Sequence, residues 1–223
     1  MRAGRHLRES PSRQPSPVLI SSHSQDKAAL RRVLRQRRQA IGAAARARAE
    51  RRFMTAARRW LKPGRKIGAY VAVGSEAPTA KLIELALARR CQVYVPQVPE
   101  RGRLLRFVRV LPNSRWHTAH YAIPVPKLQG RQRGVRASQL AVVFVPLLGF
   151  DATLTRMGQG GGYYDASFAF RRQRTQPRLI GLAYACQQVA LLPRDAWDLR
   201  LDAVLTEQGV LRATAAKRAN VTA

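Results

Sequence analysis

Ten consecutive residues, Arg156-Met-Gly-Gln-Gly-Gly-Gly-Tyr-Tyr-Asp165, hold the kinds of group that a polyphosphate needs. Gly158, Gly160, Gly161 and Gly162 can take positive φ and let the backbone approach a ligand closely. Successive bare N–H groups in such a turn form an anion-binding concavity. Arg156 adds a planar, permanent cation, and Asp165 a hard oxygen ligand for Mg²⁺. A glycine-rich connector between strand and helix has much the same composition, so spacing has to decide. Gly158-Gln159-Gly160 opens like a dinucleotide fingerprint, but Tyr163 stands where its third glycine belongs. Residues 182–185, about 20 positions on, contain no acid for a ribose. No Gly-Lys-Ser/Thr follows the glycines, which excludes a Walker A loop.

Phe150-Asp151, Arg156-Met157-Gly158 and Gly160-Gly161-Gly162-Tyr163-Tyr164-Asp165 together resemble the signature of the 5-formyltetrahydrofolate cyclo-ligase family, also called 5,10-methenyltetrahydrofolate synthetases. Lys27-Ala28-Ala29-Leu30-Arg31 resembles that family's amino-terminal motif, and Glu76 with Thr79 its Glu-x-x-Thr loop. Ala183-Tyr184-Ala185-Cys186-Gln187, Leu192-Pro193, Asp198 and residues 202–207 follow its closing segment in order. The similarity spans residues 26–208.

The resemblance implies an ATP-driven ring closure: 5-formyltetrahydrofolate and ATP give 5,10-methenyltetrahydrofolate, ADP and phosphate. A formamide carbon is a poor electrophile and its oxygen a poor leaving group. Phosphorylating that oxygen creates an iminium-like carbon that the neighbouring folate nitrogen attacks, and phosphate departs. Catalysis of such a transfer is positioning and charge stabilisation. By the resemblance, Lys27, Arg31 and Arg156 meet the phosphates, and Gly158, Gln159, Gly160, Gly161, Gly162, Tyr163 and Tyr164 wrap them. Asp165 and Asp198 become the Mg²⁺ carboxylates, with Asp195 and Asp202 as neighbouring alternatives to Asp198. Glu76 becomes the acid beside the formyl group, joined on the folate by Val71, Gln159 and Tyr163. Glu76, Arg156 and Tyr163 form the implied catalytic set, Tyr163 stacking on the pterin or closing over the reacting group. Tyr164 alternatively packs in the core. The i, i+4 spacing of Lys27 and Arg31 places two like charges on one helix face, an unfavourable pairing unless an anion lies between them.

The chain departs from the family pattern at several positions. Leu154 replaces a usual glycine two residues before Arg156, which predicts a more extended start to the loop. Val125-Pro126 replaces Glu-Pro; Gln97, Gln159 and Gly161 stand where basic residues are common.

An alternating pattern of helices and strands must position these groups. Asp26 is a plausible N-cap for a helix on which Leu30, Val33, Leu34 and Ile41 recur at helical spacing. A second helix is predicted over 44–61, burying Phe53, Met54, Ala57, Trp60 and Leu61 and ended by Pro63-Gly64. Strands are predicted at 67–73, 92–95, 104–110, 140–145, 179–185 and 203–206, and helices at 80–90, capped by Thr79, and 164–172. Residues 112–137 read as an irregular excursion. Residues 140–145 are continuously apolar, as in the centre of a parallel sheet. The pattern predicts an α/β fold: a three-layer, Rossmann-like, largely parallel sheet with helices on both faces and a helical N-terminal segment. Glu76 and the glycine loop both follow strands, where ligands bind in such sheets.

The chain has 223 residues and is 46% hydrophobic, enough for one substantial core. Residues 25–210 are read as that single domain, 1–24 as a disordered basic extension and 211–223 as a flexible tail. Residues 1–24 are also Arg- and Ser-rich, as organellar transit peptides are, but a cytoplasmic location is the leading expectation. No apolar stretch reaches transmembrane length. Cys91 and Cys186 show no metal or redox spacing, and His117 and His120 form a lone H-x-x-H. The net charge of +29 raises a second reading, a basic RNA-binding protein on a catalytically altered fold. Of 41 basic residues only six are lysine, a skew that codon usage alone produces, and Phe53 and Trp60 are the only Phe, Tyr or Trp in residues 1–62. With no stacking platform there, the charge is read as a solvated surface with weak, salt-sensitive nucleic-acid binding at most. A monomer working on a reduced folate and ATP is expected.

Overall fold

The computed structural model of the chain describes residues 22–128 and 134–212, with side chains from Lys27 onward. In chain order it runs α1 (Ser22–Gln39), α2 (Ala43–Ala57), β1 (Lys66–Gly68), α3 (Ala80–Ala88), β2 (Gln92–Gln97) and β3 (Arg106–Arg109). Next come β4 (Trp116–Thr118), β5 (Pro124–Pro126), β6 (Val135–Arg136), β7 (Val142–Pro146), β8 (Gly149–Phe150) and β9 (Arg156–Met157). α4 (Tyr163–Ser167), β10 (Arg178–Leu182), β11 (Ala203–Thr206) and β12 (Gly209–Arg212) complete it. Eight strands form one sheet in the order β12-β11-β10-β7-β1-β2-β3-β6. The five strands from β11 to β2 are mutually parallel, and β12, β3 and β6 pair antiparallel at the two edges. The expected α/β architecture with a largely parallel sheet is what the chain adopts.

β7 sits centrally because both of its faces are apolar. Val142 and Phe144 point into the layer formed with Ala49, Phe53 and Ala57 of α2 and Leu82 and Ala86 of α3. Val143 and Val145 point into the opposite layer with Phe168, Leu179 and Val204. Each such side chain stabilises the fold by about 1.5–3 kcal/mol through burial. The second layer is thin in helix: α4, a 3-10 turn over Ala169–Arg172 and irregular chain cover it. α1 docks separately, seating Leu34 against Met157 and Leu192. A Cβ on Gly149 would lie 2.5 Å from Leu34 Cδ1, so this glycine makes room for the helix.

Several local expectations are corrected. α1 already begins at Ser22, so Asp26 lies inside it and is not its cap. Val33 is exposed, whereas Leu34 is fully buried. α2 gives way after Ala57 to a 3-10 turn over Arg58–Trp60, leaving Met54 and Trp60 half-buried. β1 stops at Gly68, since the chain beyond it turns toward the cleft described below. Thr79 occupies the N-cap position of α3 but makes no capping bond; its hydroxyl donates to the Tyr70 carbonyl at 2.6 Å. Inside the expected excursion, β4 and β5 form a separate hairpin and β6 joins the main sheet. β12 carries the sheet through Arg212, two residues into the expected tail. Residues 1–21 and 213–223, which hold nearly all of both expected mobile ends, lie outside the described residues.

Candidate active site

The connections reverse direction between β1 and β7, the place where an open α/β sheet leaves a crevice at its carboxyl ends. A cleft of about 900 Å³ occupies it, a volume suited to a nucleotide with a second small molecule. Apart from Asp202, one of the alternatives to Asp198, the site residues expected from sequence line this one cleft: Lys27, Arg31, Val71, Glu76, Arg156, Gly158, Gln159, Gly160, Gly161, Gly162, Tyr163, Tyr164, Asp165, Asp195 and Asp198.

The glycine loop forms one wall. Gly160 (φ 109°) and Gly162 (φ 69°) occupy the left-handed half of φ space, where a side chain is strained. A Cβ on Gly161 would lie 2.8 Å from the Tyr163 ring, so this position also needs its bareness. Cations ring the loop. Arg31 Nε donates to the Gly158 carbonyl at 3.2 Å, and Arg35 donates to Gln159 Oε1 at 3.0 Å. A Cβ on Gly162 would be 3.6 Å from an Arg103 guanidinium nitrogen. Arg156 is buried, donates to Asp165 Oδ1 at 2.7 Å, and lies 5.7 Å from the Tyr164 ring centroid. The N–H of Leu199, the residue after Asp198, donates to that same Asp165 oxygen at 3.4 Å. Lys27 Nζ lies 2.6 Å from Asp195 and 3.7 Å from Asp198, while Asp198 Oδ2 accepts the Asp195 N–H at 2.8 Å. Cations and carboxylates here neutralise one another in pairs.

Glu76 stands on the segment after β1. Its Oε2 accepts the Val73 N–H at 3.1 Å. Burial pushes its carboxyl above the ordinary glutamate value, opposed by that N–H, the Arg38 charge and the Gln159 amide. Tyr70 fixes the base of the segment by donating to the Ala77 carbonyl at 2.7 Å. At the mouth, the Tyr163 hydroxyl lies 3.2 Å from that of Tyr121, a contact that raises the Tyr163 phenol above its ordinary value.

The model of the 5-formyltetrahydrofolate cyclo-ligase family matches residues 23–207. The chain belongs to that family. It is 33% identical to the 5-formyltetrahydrofolate cyclo-ligase of Haemophilus influenzae over 146 residues, covering 65% of this chain and 76% of the relative. Against the Escherichia coli K12 protein of the same name the identity is 34% over 146 residues, 65% of this chain and 79% of that one. The solved 5,10-methenyltetrahydrofolate synthetase of Aquifex aeolicus superposes with a TM-score of 0.70 at 26% identity, covering 83% of this chain and 92% of the other. The chain is therefore an enzyme, of the cyclo-ligase class that the glycine loop and its companion motifs suggest.

Within the cyclo-ligase cleft the structure adds residues that the motifs do not name. Arg103 and Tyr121 line it from the β2–β3 connection and the β4–β5 turn, whose irregular sequence gave no signal. Arg35 and Arg38, which do not line the cleft but bond Gln159 and Leu147 of its lining, did leave one: Lys27, Arg31, Arg35 and Arg38 recur at spacings of four, four and three on α1. Tyr164 lines the cleft and at the same time stacks on Phe168 with centroids 6.0 Å apart, in keeping with the alternative of packing in the core. Asp202 faces away from the site: it pairs with Arg171 at 2.6 Å and Arg178 at 3.0 Å. Leu154 corrects the expectation of an extended loop start. It sits at φ 64°, in the left-handed conformation that glycine favours, with its side chain buried. Asp151 imposes that turn, accepting the Thr153 N–H at 2.8 Å, the Thr155 N–H at 3.2 Å and the Leu192 N–H at 3.1 Å. Val125, in place of an acid, is buried in β5 and does not line the cleft.

Proposed function

We propose that this cyclo-ligase-family enzyme closes 5-formyltetrahydrofolate to 5,10-methenyltetrahydrofolate at the expense of ATP, with Mg²⁺, releasing ADP and phosphate. One observation carries the reading: a single cleft holds both the cation-ringed glycine loop and the half-buried Glu76 carboxylate. The substrate brings the negative charge that the cations lack. Lys27 and Arg156 exchange their carboxylate partners for phosphate oxygens, and the N–H groups of residues 158–164 close around the same oxygens.

Asp165 and Asp198, freed by that exchange, suit Mg²⁺, which is commonly held by one or two carboxylates plus phosphate and water. Among the described residues no group of three or more His, Cys, Asp or Glu could hold a metal ion, so in this reading phosphate and water supply the other ligands. When bound, Mg²⁺ neutralises charge on the transferring phosphoryl oxygens.

Glu76 accepts hydrogen bonds from the folate ring and holds the formyl oxygen in line with the nucleotide. Val71 and Tyr163 flank the ring, and Tyr163 closes over it to exclude water. The reading treats one chain as the working unit, because every site residue lies in one chain's cleft. Free Cys91 and Cys186 favour a reducing, cytoplasmic compartment. No helix among the described residues is long and apolar enough to cross a membrane. The RNA-binding alternative gains no support; binding of polyanions to the basic surface is proposed to be weak and to fade with salt.

The test is to mix the folded protein with ATP, Mg²⁺ and 5-formyltetrahydrofolate and follow near-ultraviolet absorbance. The methenyl chromophore accumulates only if all three are present; a folded protein that produces none contradicts the reading.

A further inference from the structure

We propose that Arg38 is the positioning residue for Glu76, so that α1, which carries Lys27 and Arg31, also fixes the acid that lines the same cleft. Arg38 is 4% exposed, a rare state for an arginine unless its guanidinium is fully employed. Its Nε donates to Ser75 Oγ at 3.0 Å, and a terminal nitrogen donates to the Leu147 carbonyl at 3.4 Å. The first bond grips the residue before Glu76, and the second ties the same side chain to the end of β7. Arg46 of α2 completes the clamp, donating to the Ser75 carbonyl at 2.9 Å and to the Arg38 carbonyl at 2.8 Å. A second route runs from α1 through Arg35 to Gln159 Oε1, whose amide faces Glu76.

The groups around Glu76 are therefore Arg38 and, through Gln159, Arg35 from α1, with Arg46 from α2 behind Ser75. The phenols of Tyr70 and Tyr164 and the Gln159 amide complete the surround. Arg38 is the cation whose field favours the ionised acid against its burial. Two consequences follow for one side chain: it aims the Glu76 segment into the cleft, and its charge opposes the burial that raises the carboxyl. Because α1 also bears Lys27 and Arg31, the nucleotide and folate walls share one rigid support.

The inference relies on the proposed function only for the place of Glu76 beside the formyl group, and its test has a readout that needs no turnover. The full chain is compared as wild type, Arg38→Met, Arg38→Lys, and each of these combined with Glu76→Gln. Thermal unfolding without ligand, followed against pH, isolates the titration of Glu76 as the difference between each protein and its Glu76→Gln partner. Arg38→Met moves that titration to higher pH, whereas Arg38→Lys, which keeps the charge, leaves it near its wild-type position. In kinetics both variants lower kcat/KM for 5-formyltetrahydrofolate by roughly tenfold or more through misplacement of the acid. Their calorimetric affinity for ATP stays at the wild-type value. A Glu76 titration unmoved in Arg38→Met overturns the inference. So does ATP affinity that falls in step with folate turnover, the result of a residue that merely anchors α1. Should Arg38→Met not fold, Arg38→Lys decides: wild-type folate turnover in that variant overturns the proposal. An inactive wild type counts against the proposed function alone, since the titration readout stands apart from it.

Discussion

Asp165 and Glu76 are the residues whose replacement separates the two halves of the site. Asp165→Asn keeps the shape of the side chain but removes the charge that pairs with Arg156 and suits Mg²⁺. It is expected to lose turnover while folate binding, followed by fluorescence or calorimetry, persists; full activity would remove Asp165 from the metal role. For Glu76 the sign of the pH effect is fixed by burial. An acid whose folded value is raised leaves the fold relatively more stable below the ordinary glutamate value, an advantage lost as pH rises through the raised value. Glu76→Gln does not titrate, so in the ligand-free protein its gain in Tm over wild type should grow across that window and level off above it. A gap that stays constant with pH would contradict the assignment. Leu154 poses a different balance. Replacing it by glycine relieves left-handed strain worth about 1–2 kcal/mol but removes a buried leucine worth about 2–5 kcal/mol. Burial prevails, and Leu154→Gly should lower stability by about 1–3 kcal/mol in denaturant titration. At the residue scale, type and spacing single out the glycines, Arg156 and Asp165, which do line one cleft, while their roles come from the family resemblance. What spacing did not disclose is who pairs with whom: Lys27 meets Asp195, and Arg38 meets Ser75, across 168 and 37 positions of sequence.

Elements were legible where burial alone defines them. Residues 203–206 were predicted as a strand and form β11, and the apolar run before the glycine loop forms the central β7. Boundaries failed where a distant partner decides. β1 was expected over seven residues but pairs over Lys66–Gly68, because the chain beyond must leave the sheet to carry Tyr70 and Glu76 into the cleft. β6 and β12 are short edge strands whose pairing depends on β3 and β11, so nothing local in their sequences announces them. Thr79 illustrates the same competition at a helix start, its hydroxyl bonding Tyr70 instead of its own helix. Tight packing between elements yields a further prediction at Gly181 in β10. A Cβ there would lie 2.6 Å from Leu147 Cδ2 and 2.7 Å from Leu201 Cδ1. Gly181→Ala should therefore overpack this layer and cost about 1–3 kcal/mol, read as a lower denaturation midpoint. An unchanged midpoint would mean that Leu147 and Leu201 can yield.

Under the proposed function the whole molecule joins two demands that oppose one another in the free protein: cations gathered to grip an anion, and acids gathered to hold a metal. Each set neutralises the other through Lys27–Asp195 and Arg156–Asp165, pairs that the proposed nucleotide would part. The net charge of +29 says little about this economy, since the decisive charges are the handful lining the cleft. Removing residues 1–21, which precede α1, should leave kcat and KM unchanged, and a large loss would make that segment part of the site. The most direct test of the central claim is a calorimetric titration of Mg²⁺ and ATP into the wild-type chain and into Arg156→Ala. A nucleotide gripped by Arg156 and the glycine loop gives saturable binding of one nucleotide per chain, which Arg156→Ala weakens severely. Absence of heat in the folded wild type, or equal affinity in both proteins, would contradict it.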